Sequence, residues 1–129
     1  MVNNMQFDFS GQEPIYLQVA NQIEEGIFTG AFKEETQVPS TTEMSREFHI
    51  NPATVLKGIN ILVNEKLVEK RRGLGMFVCK GAYDLILEKR KGAFFEDYVR
   101  KIVSEAKNLK LTEVDLVQLI KRGFQANED

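Results

Sequence analysis

The stretch VPSTTEMSREFHINPATVLKGIN, residues 38–60, contains two helix starts separated by one short turn. Ser40 and Glu43 have the spacing of a capping box, in which each side chain satisfies an orphan backbone N–H of the first helical turn. This predicts a short helix over Thr41–Phe48, with Met44 and Phe48 one turn apart on its inner face. Asn51 is a good N-cap, and Pro52 suits the first helical position, where its missing N–H costs nothing. Ile50 and Val55 stand where a hydrophobic staple forms. Val55, Ile59, Leu62, Val63 and Lys66 continue a helical period. The two helices are therefore joined by a turn of about three residues, as a helix-turn-helix requires. His49, the single histidine, falls in that turn. Such turns often need one residue at positive φ, which glycine fills most easily and histidine tolerates.

The flanks extend this pattern. In EPIYLQVANQIEEGIFTGAF (residues 13–32), Ile15, Val19, Ile23 and Ile27 form one helical face. Pro14 fits the first turn and Gly30 the stop. LVEKRRGLGMFVCK (residues 67–80) alternates around Gly73 and Gly75 and reads as a β-hairpin, with Val68, Phe77 and Cys79 expected on a buried face. Helix, helix-turn-helix and basic hairpin are in the order of a winged helix. From Ala82 the pattern changes. Phe95, Val99, Ile102, Ala106 and Leu109 make a heptad-like seam. Thr112 caps a last helix with Asp115 at its third position, Leu111 and Leu116 as a staple, and Val117, Ile120 and Phe124 as an apolar face. Two such helices cannot bury both faces alone, so they must pack on the preceding domain or on another copy. The final ANED reads as a frayed end. The expected fold is mostly α with a small β-hairpin (α+β): a winged helix-turn-helix over residues 12–80 and a two-helix dimerisation tail over residues 82–126.

The 129 residues suffice for one ordinary domain, or for a small domain of about 80 residues with an appendage. No apolar run nears the roughly 18 residues of a membrane span, and the first residues lack the basic-then-apolar pattern of a secretory signal. Cys79 is the only cysteine, so no internal disulfide is expected and a reducing cytoplasm is the default. The net charge of −2 hides a local asymmetry. Residues 1–55 have two basic and eight acidic residues, residues 56–80 six basic and two acidic, and residues 81–129 nine of each. A basic island of net +4 thus sits in an otherwise acidic chain, and phosphate responds to the local field rather than to the total charge.

These residues resemble the winged-helix domain of GntR-family transcription regulators, from about Gln12 to Lys80, through EPIYLQVANQIEEGIFTGAF, VPSTTEMSREFHINPATV and KLVEKRRGLGMFV. The short helical C-terminus resembles the YtrA-like subfamily, whose relatives lack a large effector domain and dimerise through the tail. The resemblance implies a homodimer placing two recognition helices in successive major grooves of a pseudo-palindromic operator. It also implies DNA contacts at Ser40, Thr41 and Thr42, at Asn51, Ala53, Thr54 and Lys57, and at the wing residues Arg71, Arg72, Gly73 and Gly75. Dimerisation falls to Phe95, Val99, Ile102, Ala106, Leu109, Val117, Ile120 and Phe124. The chain departs from the commoner pattern where arginines are usual: Thr42, Pro52 and Leu56 occupy those places, and Ala53 replaces a hydroxyl residue. Those arginines would read guanine by a two-pronged contact. Discrimination is therefore expected to lean on the wing, on Thr and Asn contacts, and on DNA shape.

Each site has a plainer reading. Thr54 and Lys57, one turn apart, could be ordinary solvated helix, and the glycines of KRRGLG could merely turn a hairpin. Two arginines beside a tight turn, however, suit a narrow minor groove. Gly-Leu-Gly lacks the third glycine and following helix of a nucleotide site. One histidine and one cysteine do not make the usual zinc site, so no metal, cofactor or catalytic residue is expected. Cys79 reads as a small packed hydrophobe. Tyr83, Phe94, Phe95 and Tyr98 could line a pocket for a small-molecule effector, although a core or dimer seam explains them more simply. The expected partners are double-stranded DNA, a second copy and an unidentified effector. The alternative is a winged helix that binds an acidic protein rather than DNA.

Overall fold

Helix α1 (Ile15–Thr29) forms over the predicted apolar face and ends at Gly30, which adopts φ 89°. Pro14 stands at its N-cap, one position before the first turn in which it was expected. Helices α2 (Thr41–Phe48) and α3 (Pro52–Asn64) follow with the predicted starts. Ser40 Oγ accepts the Glu43 N–H at 2.9 Å. The reciprocal half of the expected box, from the Ser40 N–H to the Glu43 carboxylate, is not made among the described residues. His49 closes α2 at φ 56°, ψ 44°, the left-handed conformation that the turn demands. Asn51 Oδ1 accepts the Ala53 N–H at 2.8 Å, and Pro52 opens α3. Lys66, which the helical period carried into α3, lies beyond its end at φ 65°. The break at Lys66 redirects the chain so that Leu67 and Val68 enter the core. The structure, a computed structural model, describes residues 5–126. Of the frayed end expected at 126–129, residues 127–129 lie outside the described part.

Strands β1 (Val68–Arg71) and β2 (Gly75–Val78) pair antiparallel, with Val68 opposite Val78 and Arg71 opposite Gly75. This register corrects the expected buried face. Val78, not Phe77, joins Val68 in the core, because successive strand side chains point to opposite faces. Cys79 follows β2 and is only half-buried. The segment before α2 adds backbone pairing to β2: the Val78 N–H donates to Thr36 O and the Val38 N–H to Met76 O, both at 2.9 Å.

The core joins Val19, Ile23 and Ile27 of α1 to Met44 of α2 and to Val55, Ile59 and Leu62 of α3. Gly58 permits the close crossing of α1 and α3: a Cβ there would lie 2.5 Å from the Tyr16 carbonyl oxygen and 2.8 Å from Val19 Cβ. Residues before α1 are tied down through buried Gln18, whose amide donates to Asp8 O at 3.0 Å and Glu13 O at 2.9 Å, while its Oε1 accepts the Asp8 N–H at 2.8 Å. Buried amide groups need such complete pairing. Phe7 then meets Phe48 of α2 edge-on, with ring centroids 4.9 Å apart.

The chain forms two compact units that divide between Glu88 and Lys89. Helix α4 (Ala82–Phe94) crosses the division. Its Ala82 and Ile86 are buried in the first unit's core, so that unit extends beyond residue 80, where the sequence suggested a boundary. Within the first unit Glu34 anchors the start of α4: its carboxylate accepts the Gly81 N–H at 2.9 Å and the Tyr83 N–H at 3.1 Å. Those backbone donors, Gly81 first, hold its carboxyl below the usual glutamate value.

In the second unit a π-helical turn (Phe95–Val99) leads into α5 (Arg100–Asn108), and α6 (Glu113–Gln125) follows. Helical backbone continues through Phe94 and Arg100, so the expected seam is interrupted by one widened turn. Both halves of the predicted Thr112–Asp115 box form, at 3.1 and 2.9 Å. The Thr112 backbone N–H and then its hydroxyl lower the Asp115 carboxyl below its usual value. Leu111 and Leu116 are half-buried and line one depression with Val103 and Ala106.

Candidate nucleic-acid interface

Three features of the first unit supply the predicted DNA-contact residues. Ser40, Thr41 and Thr42 lie at the start of α2, with Ser40 and Thr42 exposed and Thr41 half-buried. The free first-turn N–H groups of a helix favour phosphate. At the start of α3, Asn51, Ala53 and Lys57 are exposed. Thr54, one turn before Lys57, is half-buried on the flank of the helix. The Lys57 ammonium lies 4.0 Å from the centre of the Tyr16 ring, a cation–π contact that draws it toward α1.

The wing tip is the tight turn from Arg71 to Leu74, closed by the Leu74 N–H donating to Arg71 O at 2.9 Å. Gly73 and Gly75 both have positive φ, 75° and 115°. At Gly75 a Cβ would also lie 2.5 Å from Gln37 Nε2. The two wing arginines, equivalent in the sequence, differ in the fold. Arg71 donates from Nη2 to Glu35 at 2.9 Å and from Nε to Glu69 at 3.0 Å, and its guanidinium lies 4.4 Å from the Phe77 ring centre. The Glu69 hydrogen bond and the Glu35 charge raise its already high pKa. Arg72 is exposed at the tip. Glu69 also accepts from the Cys79 thiol at 3.7 Å, and burial, followed by the Glu69 charge, pushes that thiol up, the opposite of a reactive thiolate.

Two further side chains of α3 are exposed: Leu56, which the sequence marks only as the place of a missing arginine, and Asn60, which the sequence reading passes over. Their signal was available: the buried spacing Val55, Ile59, Leu62 places them on the opposite face. The sequence reading also passes over Glu35, which meets Arg71 across 36 residues of chain.

Of the expected dimerisation residues, Phe95, Ile102, Leu109, Val117, Ile120 and Phe124 are exposed, Phe124 by 88%. Val99 is half-buried. Ala106 differs: it is buried within the helical unit, where its carbonyl accepts the Leu111 N–H at 2.9 Å. Among the aromatics considered for an effector pocket, Tyr83 stacks on Phe28 in the first unit, with centroids 5.5 Å apart, and Phe94 packs on Tyr98 in the second. No helix of the described residues is long and apolar enough to cross a membrane, and no group of three or more His, Cys, Asp or Glu among them could hold a metal ion.

Comparison with known proteins agrees with this geometry. The model of the gntR family of bacterial regulatory proteins matches residues 15–78. A GntR-family transcriptional regulator structure from Bacteroides thetaiotaomicron is 30% identical, with 86% of this chain and 96% of that chain covered and a TM-score of 0.67. The HTH-type transcriptional repressor YtrA of Bacillus subtilis is 28% identical over 102 residues, 79% of this chain and 78% of its own length. The AraR DNA-binding domain in complex with operator ORX1 is 27% identical, covering 57% of this chain and 93% of that chain, with a TM-score of 0.53. With its helix-turn-helix, its wing and its helical tail in the same order, this chain belongs to the GntR family of bacterial transcription regulators.

Proposed function

We propose that this protein is a sequence-specific DNA-binding transcription regulator that represses by occupying a pseudo-palindromic operator as a homodimer. The observation that carries the reading is the side-by-side supply of an exposed α3 face and a basic wing in a family of regulators. An operator-bound relative with the same domain supports it. On this reading the protein works in the cytoplasm, without catalysis. Arg72 contacts the DNA backbone or minor groove from the wing tip, while Arg71 fixes the wing through Glu35 and Glu69. The start of α2 contacts phosphate, and α3 enters the major groove.

The exposed apolar faces of α5 and α6 support pairing with a second copy, since large contiguous apolar surface in water marks an association site. A signal would act by changing the placement of the two DNA-binding units. The test is a gel shift on the promoter of the protein's own operon, joined to sedimentation at micromolar concentration. Binding that survives Arg71→Ala/Arg72→Ala undiminished would remove the wing from the account. A monomer would remove the dimer.

A further inference from the structure

The outward face of α3 has an unusual chemistry for a surface that enters DNA. At about 100° per residue, Ala53, Leu56, Lys57 and Asn60 fall within one arc of about 100°. All four are exposed, and the arc lies opposite Val55, Gly58, Ile59 and Leu62, which are buried against the core. Ala53 and Asn60 occupy its middle. Leu56 lies on one side with 47% of its surface exposed. Lys57, the only cation in α3, lies on the other side, drawn over the Tyr16 ring. The face therefore offers a methyl and a carboxamide at its middle, an isobutyl group at one edge and a single ammonium at the other, and no guanidinium.

We propose that this face reads A·T base pairs, with Leu56 and Ala53 packing on thymine 5-methyl groups and Asn60 pairing with an adenine edge. In the major groove only thymine presents a methyl, while adenine N6 and N7 match the donor and acceptor of a carboxamide. Guanine, by contrast, is read best by a forked or extended cation, which this arc lacks at its centre. An exposed leucine is a neutral feature on most surfaces. On a helix whose opposite face is fully committed to the core, it is apolar area held ready for an apolar partner. The inference rests on the DNA-binding reading above and specifies which bases lie beneath α3.

The experiment selects duplexes from a randomised library with the full-length protein, then replaces each thymine of the selected half-site by deoxyuridine, which deletes one methyl and leaves the hydrogen-bonding edges intact. The wild type is expected to lose about fourfold in affinity at one or two thymines, the worth of one buried methyl. Leu56→Ala, at an exposed position and checked for native circular dichroism, is expected to bind more weakly and to lose that sensitivity at one of those thymines. Leu56→Arg is expected to move the preference at the same position toward guanine. Affinity indifferent to deoxyuridine throughout, or equal sensitivity in wild type and Leu56→Ala, overturns the assignment while leaving DNA binding intact. Failure to enrich any sequence overturns the DNA-binding reading itself.

Discussion

Arg71 and Glu35, 36 residues apart in the chain, meet at 2.9 Å and fasten the wing to the segment that precedes α2. The Arg71 fork also holds Glu69 on its own strand, and Phe77 of β2 lies under the guanidinium, so three elements of the hairpin's support converge on one side chain. Arg72, the next residue, is exposed at the tip. On the proposed function the pair divides into an arginine that positions the wing and one that contacts DNA. Arg72→Ala is expected to weaken DNA binding, to lower the slope of log affinity against log salt by about 1, and to leave the melting temperature unchanged. Arg71→Ala is expected to weaken binding and to raise amide exchange across β1 and β2. Arg71→Lys should not restore protection, because an ammonium lacks the planar fork. Salt titration and hydrogen exchange on both variants check the division; identical behaviour would sink it.

Gly58→Ala is expected to destabilise the protein, although alanine is the better helix former by about 1 kcal/mol. The added Cβ would meet the Tyr16 carbonyl oxygen at 2.5 Å, and a backbone atom has little room to give. Overpacking of this kind costs about 1–3 kcal/mol. Urea unfolding measures the sign directly, and a gain in stability would show that α1 and α3 can separate without loss.

His49 has its role through its backbone. Its φ of 56° ends α2, and its N–H donates to the Ser45 carbonyl. His49→Gly should leave stability within about 1 kcal/mol of wild type and leave DNA binding intact, whereas His49→Val should lose about 1–2 kcal/mol from the left-handed strain. Thermal melts of the two variants decide. A large loss of DNA affinity in a well-folded His49→Gly protein would instead give the imidazole a contact of its own.

Glu34 predicts an acid-side dependence. Its folded pKa is depressed by the Gly81 and Tyr83 N–H groups. The stabilisation is therefore complete above the ordinary glutamate range and is lost as pH falls through that range and through the lower folded value. Wild type should lose more stability between about pH 6 and about pH 3 than Glu34→Gln does, the difference appearing only on the acid side. Melting temperatures across that interval test the sign, and parallel curves would contradict it.

Ile120→Glu and Phe124→Ser, on the exposed face of α6, should shift sedimentation toward the monomer and reduce operator affinity, with the first unit's helical signal retained. Dimers that persist in both variants would move the interface off α6.

The helix-turn-helix was legible because its signals are local. A cap, a proline at the first helical position and a repeated apolar spacing act within a few residues, so Ser40, Asn51, Pro52 and the Val55–Ile59–Leu62 face predicted α2 and α3 closely. The hairpin's existence was equally local, but its register was not. Phe77 and Val78 are both apolar, and which one turns inward depends on pairing with Val68 and with the segment at residues 36–38. The π-helical turn at Phe95–Val99 left no mark in the heptad spacing.

The sequence by itself determined the order of elements, the basic wing, the family and the outward position of the α3 stripe, because periodicity and capping are set by neighbours in the chain. Only the tertiary structure separated Arg71 from Arg72, buried Ala106 and joined Glu34 to the start of α4. Each of those depends on groups brought together from distant positions or on the way neighbouring helices pack. No local pattern encodes such meetings; they follow from the packing of the core that brings the segments to one place.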